Sequence, residues 1–522
     1  MAHVNPPTTP DAPVVDDALV DALRDDLGAA GYTVDRVETL LGPVANGALH
    51  RGEAVPALRA TAGVDDPVAT LVRAFVLGAP VDGTALTAAL PRLGVDGARR
   101  LGLVTTAGAG ADDDVRAVVD LRPYAAVDGA GEAAWWVASD LGEIATGRAL
   151  RTDHVLGVGG ASVTLAQATV RGPRGRVLDL GTGCGVQALH AARHAPEVVA
   201  TDLSARALAF ARFTTALAGL GPDRVELRQG SMLEPVAGET FDLVVSNPPF
   251  VITPRRADVP AYDYRDGGRA GDDLVRDLVT GVGDVLAPGG VAQLLANWEV
   301  RRGERWDERV GAWLDAAGLD AWVVRRDEQD PAEYAETWIR DGGTTPADGT
   351  AWRDLYGAWL DDLASRDVHS VAFGVVTLRR PVTGAPTLRR LEDRVGPVRQ
   401  PLGPVLAAGL EAHDALARLD DRDLAGLRLR VAGDVTEERY LEPGAVDPNV
   451  VLLRQGGGFG VTVRAGTALA AFVGACDGEL TAGQIVAALA SLLDVPAQDV
   501  AADVLPAARG LVADGLLLLP TP

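Results

Sequence analysis

The chain has 522 residues, enough for roughly three domains, and its 47% hydrophobic and 23% charged residues exclude a disordered protein. Two cysteines and seven histidines exclude a disulfide scaffold, and their spacing predicts no metal site. The net charge of −24 argues against a protein that wraps nucleic acid along its whole length. We recognise neither a secretory leader nor an apolar run of membrane-spanning length, so we expect a cytoplasmic protein without membrane contact.

The first part of the chain is predicted to be helical. Residues 1–15 are rich in proline and threonine and are expected to be disordered. From Ala18 to about Leu90, apolar residues recur at helical spacing. Two strand-like runs, at 102–106 and 115–121, then flank a glycine- and aspartate-rich turn at 107–114.

Helices followed by such a hairpin predict a helical, winged-helix-like domain over residues 16–145. Its third helix would present Arg92, Arg99 and Arg100 among acidic residues. We expect this helix to serve substrate docking or packing in preference to base contacts. The adjacent Trp135 and Trp136 are expected to form an apolar wedge against the next domain.

A strand followed by a glycine-rich turn begins the central part of the chain. Residues 176–180 form a short apolar strand, and Gly181, Gly183 and Gly185 follow it before a helix that begins near Val186. Glycines allow a sharp turn with positive φ and a close approach of the backbone to a ligand. The start of the following helix offers unpaired N–H groups. This pattern alone indicates a nucleotide-binding turn only weakly.

Three later strands strengthen that interpretation. Residues 197–202 form a strand that ends in Asp202, about 20 residues beyond the turn, where a doubly wound sheet places a carboxylate against ribose hydroxyls. A third strand begins at Val225, and a fourth, residues 241–246, leads directly into Asn247-Pro248-Pro249-Phe250.

The NPPF residues suit chemistry on a planar nitrogen. An amide or exocyclic amino nitrogen is a poor nucleophile because its lone pair is delocalised, and two acceptors against its hydrogens would direct that lone pair. The side-chain oxygen of Asn247 and the backbone carbonyl of Pro248 are the candidate acceptors. Pro248 and Pro249 fix φ and remove competing N–H donors, and Phe250 offers a flat apolar face for stacking. Such a transfer needs no metal, since it rests on proximity and orientation.

Strand–helix alternation continues to residue 378 and then stops. A long loop, residues 255–273, follows the NPPF turn, in the position where substrate selection is expected. Further strands are predicted at 291–296, 318–324 and 371–378. Residues 383–522 are predicted to form a second winged-helix-like domain that serves as a platform for a partner or substrate.

The glycine turn, Asp202 and NPPF, in this order, resemble the class I S-adenosylmethionine (SAM) methyltransferases that act on nitrogen. The resemblance implies an α/β, doubly wound (Rossmann-like) sheet of seven strands with a final antiparallel strand, over residues 146–382, and SAM as cofactor. It also assigns site residues. Asp179 orders the turn near the methionine end of the cofactor, and Asp202 binds the ribose. The residues implied to line the cofactor are Gly181, Thr182, Gly183, Gly185, Leu203, Ser231, Met232 and Asn247, with Asp153 and Gly157–Gly160 as further candidates.

NPPFVITP followed by YRDGGRAGDDL resembles most the HemK/PrmC-like enzymes, which methylate a glutamine side-chain amide in translation release factors. Those enzymes usually carry tyrosine where this chain has Phe250. Small-domain ribosomal RNA methyltransferases use NPPF but typically follow it with histidine, where this chain has Val251. We therefore favour a protein glutamine as methyl acceptor and keep a nucleobase amino group of RNA as the alternative.

A third possibility is a non-catalytic SAM-sensing protein whose end domains do the work. The retained Asn247 argues against it, because a degenerate enzyme would be expected to lose that residue. The oligomeric state is left open by the sequence.

Overall fold

The structure is a computed structural model that describes residues 12–108, 113–147 and 150–520. The described chain divides into two compact units. One comprises the residues up to Ala166 together with Gly172–Val395, and the other comprises Gln167–Arg171 together with the residues from Gly396 onward. No helix in the described ranges is long and apolar enough to cross a membrane.

The beginning of the chain was expected to be a disordered tail at residues 1–15. Residues 1–11 lie outside the described residues. Pro13 is buried, and the Val14 N–H donates to the carbonyl oxygen of Leu101 at 3.0 Å. Packed structure therefore begins before the expected boundary at residue 16.

The N-terminal part of the first unit consists of helices followed by two small antiparallel sheets. Its elements are α1 (Asp17–Ala30), α2 (Val34–Leu49), α3 (Val55–Ala60), α4 (Pro67–Leu71), a π-helical turn (Val72–Val76), β1 (Val81–Asp82), α5 (Gly83–Ala89), α6 (Gly94–Arg100), β2 (Val104–Thr106), β3 (Asp114–Ala117), β4 (Val119–Asp128), β5 (Gly131–Asp140) and α7 (Glu143–Thr146). The first sheet has the order β1-β3-β2. Strand β4 pairs with β5 in a hairpin in which each strand has ten residues. Part of the turn predicted between β2 and β3, residues 109–112, lies outside the described residues.

A mixed sheet of eight strands forms the centre of the first unit. Its elements are α8 (Gly160–Ala168), β6 (Arg176–Leu180), α9 (Val186–Ala192), β7 (Glu197–Asp202), α10 (Ala205–Leu217), β8 (Val225–Gln229), a 3₁₀ turn (Glu234–Val236), β9 (Phe241–Ser246), α11 (Asp273–Gly281), a 3₁₀ turn (Val282–Val285), β10 (Leu286–Arg301), α12 (Trp306–Ala317), β11 (Asp320–Gln329), α13 (Pro331–Asp341), a 3₁₀ turn (Pro346–Asp348), α14 (Thr350–Ser365), β12 (Val368–Arg379) and β13 (Arg389–Asp393). The strand order is β13-β11-β12-β10-β9-β6-β7-β8. Strands β6 to β10 are parallel, and β12 runs antiparallel between β10 and β11.

The strand order alone, without the side chains, indicates where a ligand would bind. The chain builds outward from β6 through β7 to β8, then returns to the other side of β6 with β9 and continues to β10. Ligands of doubly wound sheets bind at such a reversal, at the carboxyl ends of the strands. Both sequence motifs follow the two strands that meet there, the glycine turn after β6 and NPPF after β9.

The predicted seven-strand count is corrected by β13, which lies beyond the expected domain end at residue 382. Its five residues pair in parallel with β11, from Ala321 to Arg325. Asp320 directs the return of the chain, since its Oδ1 accepts the N–H groups of Thr387 and Leu388 at 2.7 and 2.9 Å. The sequence of β13 has little apolar pattern because it is an edge strand, and its predominantly charged residues protect an open sheet edge.

One hydrophobic core joins the N-terminal elements to the sheet. Leu23 of α1 and Phe75 belong to the same buried cluster as Phe210 and Phe213 of α10. The Trp136 ring is partly buried against this cluster.

The second unit is built from α15 (Gly403–Leu416), α16 (Asp421–Gly426), β14 (Arg430–Val431), β15 (Val435–Tyr440), β16 (Val450–Gln455), β17 (Thr462–Ala465), α17 (Thr467–Gly474), α18 (Ala482–Leu493), α19 (Ala497–Ala513) and β18 (Leu517–Leu518). Strands β15, β16 and β17 form an antiparallel meander, and β14 pairs with β18. The unit has its own buried core, centred on residues such as Phe472 and Val504.

Candidate active site

The glycine turn lies between the ends of β6 and β7. The N–H groups of Gly181 and Thr182 both donate to the Thr201 carbonyl oxygen at 2.9 Å. Gly181, Gly183 and Gly185 have φ values of 74°, 54° and 89°, a region that favours glycine. The backbone conformation predicted for this motif is therefore present.

The three glycines face different surroundings. A Cβ atom added to Gly181 or Gly183 would meet no other atom within 4 Å, so the turn borders open space there. A Cβ added to Gly185 would lie 3.1 Å from the Cα of Ala211 in α10. Gly185 thus allows close packing of turn and helix, whereas Gly181 and Gly183 leave room for a ligand.

Asp202 connects the end of β7 to the turn. Its Oδ2 accepts the N–H of Gly183 and its Oδ1 the N–H of Ser204, both at 2.9 Å. A carboxylate oxygen can accept more than one hydrogen bond, so each oxygen retains capacity for a hydroxyl group. Burial raises the pKa of Asp202, while these N–H groups act in the opposite direction.

Asp179 is buried beneath the turn. Its carboxyl group accepts a hydrogen bond from the Thr182 hydroxyl at 2.6 Å, which ties strand β6 to the turn. Burial raises the pKa of Asp179 to about 7, against the opposing effect of this bond. Since only 1% of Asp179 is exposed, its contribution here is to the shape of the turn.

The residues implied to lie beside an adenine ring follow β7 and β8. Leu203 is 67% exposed, unusual for a large apolar side chain next to a buried strand. Ser231 and Met232 are half-buried, and Met232 has a left-handed φ of 47°. The Gly230 N–H donates to the Asp202 carbonyl oxygen at 3.0 Å, which brings this turn next to Asp202.

The NPPF turn begins beside the glycine turn. Leu180 and Ser246, the last residues of β6 and β9, are register partners, and the Ser246 hydroxyl donates to the Leu180 carbonyl oxygen at 2.8 Å. Gly181 and Asn247 directly follow these two residues, and neighbouring strands lie about 4.8 Å apart. The two motifs, separated by 66 residues in sequence, thus meet at one point.

Asn247 carries an unsatisfied acceptor at this point. Its Oδ1 is buried and has no hydrogen-bond partner in the described part of the chain. Such an atom costs about 1–3 kcal/mol when it is left unpaired. An N–H donor from a bound acceptor molecule would satisfy it.

The residues after Asn247 are held by groups far away in sequence. Phe250 forms an antiparallel bridge with Asp266, and the Val251 N–H donates to the Arg265 carbonyl oxygen at 2.8 Å. The Ile252 N–H donates to the hydroxyl of Tyr334 at 2.9 Å. These contacts fix the orientation of Pro248 and Pro249, which are buried and half-buried respectively.

Tyr334, on α13, also contacts strand β10. Its hydroxyl accepts the side-chain amide of Asn297 at 2.9 Å. Asn297 is fully buried, and its Oδ1, like that of Asn247, has no partner among the described residues. The sequence assigned no role to Tyr334 or Asn297, and the polar Asn297 within a strand of mostly apolar residues was the available signal.

An aromatic cluster anchors the loop after NPPF. The Arg265 guanidinium, buried to 5% exposure, lies 4.6 Å from the ring centroid of Tyr262 and 5.8 Å from those of Tyr264 and Trp338. It donates to the Trp338 carbonyl oxygen at 2.7 Å and pairs with Asp341 at 2.5 Å. The loop is therefore fastened to α13, the same helix that holds Ile252.

The segment before β6 reaches this loop as well. The Asp263 N–H donates to the carbonyl oxygen of Thr152 at 2.8 Å. Asp153, a further cofactor candidate, is paired with Arg151 at 2.8 Å, which lowers its pKa. A Cβ on Gly157 would lie 2.9 Å from the Ser139 hydroxyl, so close packing explains that glycine.

Comparison with known proteins identifies the class of this site. Residues 158–313 match the family described as Methyltransferase small domain, and residues 29–118 match a Domain of unknown function (DUF7059). The first match covers both the glycine turn and NPPF. Residues 158–313, which include strands β6 to β10, therefore resemble a methyltransferase domain, as the motifs predicted.

Individual relatives of this chain are named by the acceptor that they methylate. The release factor glutamine methyltransferase of Deinococcus radiodurans is 42% identical over 127 residues, which cover 23% of this chain and 44% of that protein. The ribosomal protein uL3 glutamine methyltransferase of Bradyrhizobium diazoefficiens is 32% identical over 164 residues, 29% of this chain and 51% of the relative. The chain thus spans about half the length of these relatives. These matches confirm the HemK/PrmC-like resemblance.

Solved structures similar to this chain include a methyltransferase from Pyrococcus furiosus. It is 17% identical, covers 42% of this chain and 80% of its own, and aligns with a TM-score of 0.26.

Proposed function

We propose that this protein transfers a methyl group from SAM to the side-chain amide nitrogen of a glutamine in a protein of the translation apparatus. The meeting of the glycine turn and Asn247 at the Leu180–Ser246 register pair carries this proposal, because it puts cofactor and acceptor groups side by side. The relatives named as glutamine methyltransferases support the choice of acceptor. Such an acceptor would make the cytoplasm the site of the reaction.

The structure offers a place for the cofactor. Open space beside Gly181 and Gly183 fits a ligand against the backbone, and Asp202 would accept hydrogen bonds from ribose hydroxyls. Leu203 and Met232 would flank the adenine. When bound, SAM supplies an electrophilic methyl group on a sulfonium.

The acceptor nitrogen would be held by the NPPF turn. The Asn247 Oδ1 and the Pro248 carbonyl would accept its two hydrogens and direct its lone pair. The Phe250 ring would stack on the planar amide. The bonds from Val251 and Ile252 to Arg265 and Tyr334 hold these groups in place before the acceptor binds, and such preorganisation is the main source of rate in a transfer without covalent catalysis.

The surface of α6 and of the turn before it favours a protein over RNA. Arg92 pairs with Asp25, Arg99 with Asp96 and Arg100 with Asp16. The three arginines that the sequence assigned to a predicted helix thus each have an acidic partner, which opposes binding to a phosphate backbone.

We further infer that the parts outside the methyltransferase sheet position the acceptor. The β1-β3-β2 sheet, of which β2 and β3 follow helix α6, supports a winged-helix-like arrangement at the N-terminal end. Residues from 396 onward contain an independent core and would form a second platform.

The test uses purified protein with tritiated-methyl SAM and two recombinant acceptors, the unmethylated release factor of Deinococcus radiodurans and a bacterial uL3. Total ribosomal RNA is the third acceptor, and Asn247→Ala is the matched control. Label in a glutamine of either protein, absent with Asn247→Ala, is the expected result.

Each other outcome selects a different function. Label that enters RNA only would make this an RNA amino methyltransferase. SAM binding without label in any acceptor, nor in a lysate from cells lacking the gene, would favour a SAM-sensing protein. Full activity of Asn247→Ala would exclude the proposed role of the NPPF turn.

A further inference from the structure

Asp266 places a second unsatisfied acceptor beside the NPPF turn. Its side chain is only 2% exposed, and its Oδ2 is buried without a hydrogen-bond partner among the described residues. The other oxygen, Oδ1, accepts the Gly268 N–H at 2.9 Å and pairs with Arg255. Oδ1 therefore anchors the loop, while Oδ2 has no partner in the part of the chain that the structure describes.

The backbone determines which residue this carboxylate faces. Asp266 is the antiparallel partner of Phe250, and the Val251 N–H donates to the Arg265 carbonyl oxygen. Phe250 and Asp266 are therefore a non-hydrogen-bonded pair, the arrangement in which opposed side chains lie closest and on the same face. A Cβ on Gly267 would lie 3.0 Å from the Pro249 carbonyl oxygen, so the loop lies directly against the NPPF turn.

A carboxylate next to the Phe250 ring would supply a base, which the proposed reaction requires. An amide nitrogen that has gained a methyl group carries one proton too many and becomes a strong acid. Asn247 and Pro248 offer a neutral amide oxygen and a carbonyl, which are weak bases. Asp266 is the carboxylate that the backbone bridge brings to this turn.

We propose that Asp266 is a further catalytic residue, which takes the proton from the acceptor nitrogen through Oδ2. This rests on the proposed function. As the N–C bond forms and the S–C bond breaks, the N–H proton passes to Oδ2. The products are the N-methyl amide, S-adenosylhomocysteine and a protonated Asp266, which then releases its proton to solvent. The Gly268 N–H, on Oδ1, keeps the carboxylate oriented.

The test begins with binding, which needs neither acceptor nor turnover. Sinefungin is an analogue in which a carbon bearing an ammonium group replaces the sulfonium and its methyl group, whereas S-adenosylhomocysteine lacks any group there. Calorimetry gives the ratio of their dissociation constants for the wild type, Asp266→Asn and Arg255→Gln. Asp266→Asn keeps the shape and an acceptor for Gly268, and Arg255→Gln removes the ion pair but leaves the carboxylate.

In the wild type, the ammonium group should make sinefungin bind more tightly relative to S-adenosylhomocysteine, and Asp266→Asn should lower that preference about tenfold because a charged hydrogen bond is lost. Arg255→Gln should keep it. In single-turnover methylation of the release factor at saturating concentration, Asp266→Asn should be slower by at least about 100-fold. The rate of Arg255→Gln should stay within about fivefold of the wild type.

The outcomes separate this proposal from the proposed function. A wild type that binds neither ligand would overturn both. A wild type that binds both ligands and methylates glutamine, with an Asp266→Asn variant of unchanged preference and rate, would overturn only the role of Asp266. Equal losses in both variants, or a lowered melting temperature of Asp266→Asn, would show that the residue only supports the loop.

Discussion

Alanine substitutions at two positions of the glycine turn distinguish a glycine that is needed for packing from one that leaves room for a ligand. Gly183 and Gly185 both have positive φ, at 54° and 89°, so alanine is strained at each. Their surroundings differ, because a Cβ on Gly183 meets nothing within 4 Å, whereas one on Gly185 lies 3.1 Å from the Ala211 Cα. Gly183→Ala is therefore the control for the backbone cost of Gly185→Ala.

The expected magnitudes follow from this difference. A non-glycine residue in the left-handed region costs about 1–2 kcal/mol, and this applies to both variants. Forcing a methyl group against backbone adds about 1–3 kcal/mol, and this applies to Gly185→Ala alone. In a domain of this size each kcal/mol lowers the melting temperature by roughly 2–4 °C.

Thermal unfolding and calorimetric binding of S-adenosylhomocysteine measure the two effects. Gly185→Ala should melt at a lower temperature than Gly183→Ala. Gly183→Ala should bind the ligand at least about tenfold more weakly, because its methyl group fills space assigned to the cofactor. Equal melting temperatures, or wild-type affinity of Gly183→Ala, would refute the assignment of these glycines.

Three further substitutions test other parts of the site. Asp202→Ala should weaken S-adenosylhomocysteine binding at least about tenfold, since a charged acceptor for the ribose is lost, and unchanged affinity in calorimetry would exclude that role. Burial raises the pKa of Asp179 from its usual 3.8 to about 7. The free energy of unfolding should therefore fall by up to about 4 kcal/mol as the pH rises from below 4 through 7, at ~1.4 kcal/mol per pKa unit. Asp179→Asn removes this loss, and melting curves between about pH 5 and pH 8 should fall more steeply for the wild type; parallel curves would contradict the burial argument. Tyr334→Phe leaves the Ile252 N–H and the Asn297 amide without their partner, which costs about 1–3 kcal/mol for each group. It should raise the KM for the acceptor while S-adenosylhomocysteine binding stays unchanged, and a loss of cofactor affinity would contradict the separation of the two sides.

The cofactor side of the site could be predicted from the sequence because its parts are local. Strand β6 and the glycine turn occupy ten consecutive residues, and Asp202 ends the next strand. Each strand is a short buried run, and each turn is marked by glycine or an acidic residue. The bounds of β6, β7 and β9 agree with the predicted ones for the same reason.

The remaining strands show where local patterns are insufficient. Strand β10 extends from Leu286 to Arg301, well beyond the predicted 291–296, since Asn297 and Glu299 interrupt its apolar pattern after residue 296. These polar residues are buried and have partners from other elements, as Glu299 does with Arg366 at 2.6 Å. These partners lie far away in the sequence, so a local stretch of sequence does not reveal them. The sequence did not predict β13, because this edge strand consists mostly of charged residues.

The acceptor side differs from the cofactor side in how it is assembled. Asn247 follows β9 directly, but the groups that hold its neighbours come from the loop at Asp266, from Asn297 on β10 and from Tyr334 on α13. None of these residues belongs to the elements that form the glycine turn. A change in the loop or α13 would alter the shape presented to the acceptor while β6, β7 and their turn remain intact. This separation fits our proposal, in which the NPPF turn would present a planar nitrogen and the elements behind it would select the molecule that carries it.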